Sequence, residues 1–129
     1  MSPLISIVMA TYNGEKYLRE QVDSLLAQSY PSLEFVFVDD ASSDSSLEIL
    51  RHYATQDERI HLIVSPVNQG LLATFETGIR AAKGEMIALS DQDDVWLPEK
   101  ISLLAGAIGS HSLIYADSAL TNAAGTVTG

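Results

Sequence analysis

Cysteine is absent from this sequence, which excludes disulfide scaffolds, thiolate zinc sites and cysteine nucleophiles and is compatible with a reducing compartment. Basic residues are scarce, with 7 Lys and Arg against 17 Asp and Glu and a formal net charge of −10. That sign opposes phosphate backbones and anionic membranes, and no basic patch offsets it, so no nucleic-acid partner is expected. Long hydrophobic runs are missing as well. The first apolar stretch stops at Thr11, too short for a transmembrane segment, and Met1-Ser2-Pro3 lacks the basic start of a secretion signal. The expected location is cytoplasmic, with any membrane association left to C-terminal parts beyond this stretch.

Glycine motifs for nucleotides are also lacking. No Gly-x-Gly-x-x-Gly follows the first apolar run, the stretch from Gly78 to Gly84 has no Lys-Ser/Thr ending, and there is no nucleophile elbow of a serine hydrolase. What is present is an ordinary globular composition, 47% apolar and 19% charged over 129 residues. A chain of this size forms one domain and buries about two-thirds of its unfolded surface.

The order of patterns is regular. Leu4 to Ala10 predicts a strand that breaks at Thr11-Tyr12-Asn13-Gly14, and Leu18, Val22, Leu25 and Leu26 then follow at helical spacing, with Asn13 as the expected N-cap. The same unit recurs. Glu34 to Val38 is a strand, Asp39 to Ser43 a loop, and Leu47, Leu50 and Tyr53 a helical stripe. Ile60 to Ser65 is the third strand, followed by a loop with Pro66, Asn68 and Gly70 and a stripe of Leu72, Phe75, Ile79 and Ala82, which Gly84 is expected to close as a left-handed C-cap. Met86 to Ser90 is the fourth, then an acidic loop and a helix from about Pro98 carrying Ile101, Leu104, Ala105 and Ile108; Leu113 to Ala116 is the fifth. Such alternation predicts an α/β fold, a mainly parallel sheet with helices on both faces, whose ligands bind outside the carboxyl ends of the strands. The domain is expected to span 1–117. Residues 118–129, uncharged and poor in large apolar groups, read as a short hairpin or frayed tail where a larger unit is truncated.

In a parallel sheet the strand ends share one rim. Here they carry Thr11-Tyr12-Asn13, Asp39-Asp40, Asp91-Gln92-Asp93-Asp94 and Asp117. Carboxylates so crowded repel one another by several kcal/mol unless a cation bridges them. The alternation Asp91-x-Asp93 offers oxygen ligands at i and i+2 and suits Mg²⁺ or Mn²⁺, which take one or two carboxylates plus substrate phosphate oxygens. An EF-hand is excluded, because no Gly, further ligands or closing Glu follow.

Four blocks carry a family resemblance: Ile5 to Gly14, Leu25 to Tyr30, Phe37 to Asp44, and Ser90 to Trp96. In this order and spacing they resemble the N-terminal half of the large inverting family of GT-A-fold glycosyltransferases, family 2 type. The resemblance implies a donor domain that binds a nucleoside diphosphate sugar of UDP or dTDP type. Thr11, Tyr12 and Asn13 would line the base and ribose, with Glu15 just behind. Asp40 would accept a hydrogen bond from the pyrimidine ring while Asp39 orders the loop. Asp91 would meet the ribose or a metal-bound water, and Asp93 the cation at the diphosphate. Inverting transfer to the hydroxyl of a saccharide or lipid-linked acceptor, in cell-surface polysaccharide biosynthesis, follows from the same likeness. Ala10 stands where the family commonly has proline, and the run from Ser90 to Trp96 resembles a subset labelled rhamnosyltransferase-like.

The catalytic base that such a displacement needs is not found in this sequence; Asp117 is a substrate or structural contact. Trp96 has two readings, a ring stacked on the sugar within the site and a core anchor ahead of the helix. His52, His61 and His111 lack metal spacing. Loss of Asp44 is expected barely to affect nucleotide binding. The competing function is a binding module that holds a nucleotide sugar without turnover. A phosphoryl-transfer receiver domain would use Asp39-Asp40 as its acid pair but also wants a Lys at a later strand end, where Lys83 instead closes a helix.

Overall fold

A computed structural model describes residues 3–91, 95–108 and 113–114. Strands and helices alternate through them: β1 (Ile5–Thr11), α1 (Glu15–Leu26), β2 (Leu33–Asp39), α2 (Ser46–Gln56), β3 (Ile60–Val64), α3 (Leu71–Ala81), β4 (Met86–Asp91), α4 (Lys100–Ile108) and β5 (Leu113–Ile114). β1 and β2 are buried along their whole length, which is why they read as nearly continuous apolar runs rather than as alternating ones. The predicted tail 118–129, the boundary at Asp117, and His111 lie outside the described residues.

Every pairing is parallel, in the order β3-β2-β1-β4-β5. The chain builds outward from β1 through β2 to β3, then returns to the opposite side of β1 with β4. At such a reversal the connections leave in opposite directions and open a crevice beyond the carboxyl ends of the two strands. Thr11 and Asp91 stand at those ends, with Ala10 in register with Asp91 and Thr11 in register with Asp39.

The period of two divides each strand between two layers. Ile5, Ile7 and Met9 of β1 and Leu33, Phe35 and Phe37 of β2 share one core with Leu18, Val22 and Leu25 of α1, Ile49 and Leu50 of α2, and Ile101 of α4. Each such side chain taken fully out of water contributes about 1.5–3 kcal/mol. Val8, Val36 and Val38 form a smaller core on the other face, with Phe75 and Ala82 packed against it. Three helices therefore cover one face and α3 the other, as the alternation predicts.

The face that α3 presents matches the predicted stripe only in part: Phe75 and Ala82 pack on the smaller core, but Leu72 and Ile79 do not. Leu72 is 86% exposed and Ile79 is exposed too, whereas Thr74 and Gly78, four residues apart, are buried. The reason is distance. A methyl group placed at Gly78 would lie 2.4 Å from Val8 Cγ1 and 3.2 Å from Val38 Cγ2, so the helix rests on the strands through Thr74 and Gly78, and Leu72 and Ile79 fall to the flanks.

Gly84 is likewise not the left-handed cap of α3, which ends at Ala81 with Ala82 in extended backbone. It is needed for close approach: a Cβ there would come within 2.6 Å of the Ser6 backbone nitrogen and 2.8 Å of the Leu4 carbonyl oxygen. The Gly84 N–H donates to Ser6 Oγ at 2.8 Å, and Ser6 Oγ donates in turn to the buried Glu34 carboxylate, which also accepts from the Lys83 N–H. α4 begins at Lys100 rather than Pro98, whose carbonyl instead accepts the Ser29 N–H at 2.8 Å.

Candidate donor-binding rim

The loops that follow β1 and β2 are built as one piece. The Asp40 N–H donates to the Thr11 carbonyl at 2.8 Å, continuing the ladder one step past the strands. Thr11 is buried, and its hydroxyl donates to Asp39 Oδ1 at 2.9 Å. Asp39 also accepts from the Ser42 N–H at 3.0 Å and the Ser42 hydroxyl at 2.6 Å. With these neutral donors converging on it, the fully buried Asp39 orders the loop, and Ala41 takes the left-handed conformation (φ 61) that turns the chain around it.

Asn13 is not the cap of α1. Gly14 occupies that place, without a side-chain cap. Asn13 has φ 50, a conformation asparagine tolerates better than most residues. From there its Oδ1 accepts from the Ser43 N–H (2.8 Å), the Ser43 hydroxyl (3.3 Å) and the Asp44 N–H (3.3 Å). The start of α1 is satisfied from the neighbouring loop instead: Asn13 N–H to Ser42 Oγ (2.9 Å), Gly14 N–H to Ser46 Oγ (2.9 Å), and Glu15 N–H to Asp44 Oδ2 (3.2 Å). Glu15 returns the contact by accepting the Ser45 N–H at 3.2 Å.

Asp44, expected to matter little for nucleotide binding, has a structural part: it caps two helices, since its Oδ1 also accepts the Ser46 N–H at 2.9 Å. Burial pushes its carboxyl up, but hydrogen bonds from Ser46 and from the Glu15 amide outweigh that and hold it below the ordinary 3.8. A depressed folded value means stability that is present above pH 3.8 and lost as pH falls through the lower folded value. Asp44→Ala should therefore cost about 1–2 kcal/mol at pH 7, and urea midpoints should show the deficit shrinking under acid. A deficit unchanged between pH 7 and pH 2 would refute this role.

Asp40 is 3% exposed and faces the third loop. Its Oδ1 accepts the Gln69 N–H at 2.7 Å, its Oδ2 accepts the Gly70 N–H at 2.9 Å, and its carbonyl accepts Asn68 Nδ2 at 3.2 Å. The sequence identified Asn68 and Gly70 only as loop residues; an Asn-x-Gly directly ahead of a helix was the available signal for this attachment.

Of the other expected site residues, Tyr12 is 47% exposed at the mouth of the rim and Asn13 and Glu15 are exposed. Asp91 ends β4 on the same rim, while Asp93 and Asp117 lie outside the described residues. Trp96 is 3% exposed and belongs to the main core, with Lys100 Nζ 4.6 Å above its ring. Its burial in the main core favours the core-anchor reading of Trp96 over the sugar-stacking one. Among the described residues no three His, Cys, Asp or Glu side chains converge on a metal site. The donors at the rim are all oxygen, which fits a hard cation that takes one or two carboxylates and completes its shell from a diphosphate. A groove of about 560 Å³ between α1 and α2, lined by Arg19, Asp23, Glu48, His52 and Tyr53, mixes both signs of charge and contains none of these rim residues.

The fold is of the GT-A type. The mannosyltransferase PcManGT of Pyrobaculum calidifontis, solved in complex with GDP-Man and Mn²⁺, matches with a TM-score of 0.80 at 25% identity, over 85% of this chain and 33% of that one. S. aureus TarS (1–349) in complex with UDP-GlcNAc matches with a TM-score of 0.76 at 31% identity, over 84% of this chain and 32% of that one. The sequence profile of glycosyl transferase family 2 matches residues 6–125, and the chain belongs to that family. A glycosyltransferase of Haemophilus influenzae is 40% identical over 99 residues, 77% of this chain and 40% of the relative. TuaG of Bacillus subtilis, whose name assigns it provisionally to teichuronic acid biosynthesis, is 36% identical over 99 residues, 77% of this chain and 39% of its own. The chain thus spans about 40% of these relatives. No helix among the described residues is long and apolar enough to cross a membrane.

Proposed function

We propose that this chain is the donor-binding part of an inverting, metal-dependent glycosyltransferase, holding a nucleoside diphosphate sugar of UDP or dTDP type at the rim where Thr11, Asp39, Asp40 and Asp91 meet. The observation that carries the reading is the register of three neighbouring strands, β2, β1 and β4, which end together on Asp39, Thr11 and Asp91 beside the reversal of strand order. Complexes of PcManGT with GDP-Man and Mn²⁺ and of TarS with UDP-GlcNAc support it.

In this reading Tyr12 and Asn13 flank the base and ribose, with Glu15 behind them, and Thr11 shapes the floor through its bond to Asp39. Asp40 accepts a hydrogen bond from a ring N–H of the base. Asp91 and Asp93 hold Mg²⁺ or Mn²⁺, and when bound the cation supplies Lewis-acid stabilisation of the departing diphosphate. Negative charge grows on that leaving group during the reaction, so a rim that accommodates it lowers the barrier rather than merely tightening binding. The acceptor oxygen bonds to the anomeric carbon as the bond to the diphosphate breaks, and its proton passes to a base that we assign to no residue of this chain. The acceptor is a saccharide or lipid-linked saccharide of cell-surface polysaccharide, a reading supported by the name of TuaG.

Calorimetric titration of UDP and dTDP, with and without Mn²⁺ or Mg²⁺, tests the reading. Binding is expected only with the metal, and equal affinity without it would refute the part given to Asp91 and Asp93. Sugar transfer by the isolated chain would eliminate the alternative of a binding module without turnover.

A further inference from the structure

Asp40 is the residue assigned to the base, yet it lies on the floor of the rim with its position set from elsewhere. Both of its carboxylate oxygens accept backbone amides, from Gln69 and Gly70, and its main-chain carbonyl accepts the Asn68 side chain. A carboxylate has about four lone-pair positions, so two amide donors leave it able to accept from a ligand as well. The three contacts come from consecutive residues at the point where the chain enters α3. Gln69 is itself tied to Ser65 Oγ through its side chain at 3.1 Å.

Between these two amides and the helix the chain takes an unusual path. Gly70 has φ 93 and ψ 165, a region in which residues other than glycine are essentially not found. No atom lies within 4 Å of where its Cβ would stand. Space is therefore no obstacle to a larger residue at this position; only the backbone conformation demands glycine. Packing does not account for Gly70; the backbone conformation in which its N–H reaches Asp40 does.

We infer that Asn68-Gln69-Gly70 is a specificity-positioning element: it fixes the Asp40 carboxylate so that the site selects donors whose base presents a ring N–H. The inference rests on the donor-binding reading above, specifically on the role of Asp40. These three residues touch Asp40, and their effect on a ligand passes through it.

The probes are UDP and its N3-methyl derivative, which differ only at ring N3, where a methyl group replaces the N–H, titrated into the full chain with Mn²⁺ present. The wild type should prefer UDP by about tenfold or more, the worth of a hydrogen bond to a charged group. In Gly70→Ala the preference should fall toward one, through weaker UDP binding with the methyl derivative little changed. Asn68→Ala, which keeps the glycine and is expected to fold if Gly70→Ala does not, should reduce the preference in part. Equal weakening of both ligands, or an unchanged ratio in both variants, would overturn the inference, because a general structural role moves the two alike. Asp40→Asn separates this from the underlying reading. If it too leaves the ratio unchanged, or if the wild type shows no preference, Asp40 does not read the base and both fall; if it alone collapses the ratio, only the positioning role is lost.

Discussion

Asp93→Ala is expected to weaken Mn²⁺-dependent binding of UDP by about 100-fold or more, since removing even an outer partner of a metal ligand costs about 10–100-fold. The physical ground is charge. The chain carries a formal −10, and Asp39 and Asp91 end β2 and β4, the two strands that flank β1, with Asp40 directly after β2, so an unescorted diphosphate meets a field of its own sign. A divalent ion inverts that field locally, and it needs a protein anchor at the place where the diphosphate must sit. Among the described residues the carboxylates Asp39 and Asp40 are engaged by hydroxyls and amides, which leaves the Asp-x-Asp run as the natural anchor. Calorimetry against Mn²⁺ concentration reads the effect, with circular dichroism to verify folding. A loss below about threefold would show that the anchor lies elsewhere.

Gly78→Leu should reduce the free energy of unfolding by about 3 kcal/mol, the upper range for overpacking a filled interior. Val8 and Val38 are the groups that would have to yield, at 2.4 and 3.2 Å from the new Cβ, and both are β-branched and stiff about χ1. They stand on adjacent central strands, so the helix rather than the sheet would move. Leu72→Ser, on the stripe that the sequence assigns to the core, should change stability by no more than about 0.5 kcal/mol because Leu72 is exposed. Urea denaturation of both proteins reads the contrast. A smaller loss at Gly78 than at Leu72 would mean that α3 packs through Leu72 after all.

These two positions also show what the sequence makes legible. The alternation of strands and helices, the parallel sheet, and the gathering of Thr11, Asp39, Asp40 and Asp91 on one rim follow from period and order alone, because strands buried on both faces have few ways to be connected. The loop-ordering role of Asp39, implied by family resemblance, agrees with the hydrogen bonds it accepts. Side-chain roles set by distances between elements do not show in a linear pattern. Leu72 and Ile79 have helical spacing, but Gly78 decides which face approaches the sheet. Asn13 precedes a helix as a cap would, yet its partners, Ser43 and Asp44, are 30 and 31 residues away. Gly84 follows a helix and is required by the backbone of Ser6 and Leu4 instead.

The cross-links between the loop after β1 and the loop after β2 bear on the thermodynamics of ligand capture. Asn13, Glu15, Ser42, Asp44 and Ser46 hold those loops to each other before any ligand arrives, so their conformational entropy is surrendered during folding and not at the moment of encounter. A preorganised lip of this kind keeps more of the gross contact energy as affinity, and it makes association a docking onto a finished surface, with departure of the ligand setting how long the complex lasts.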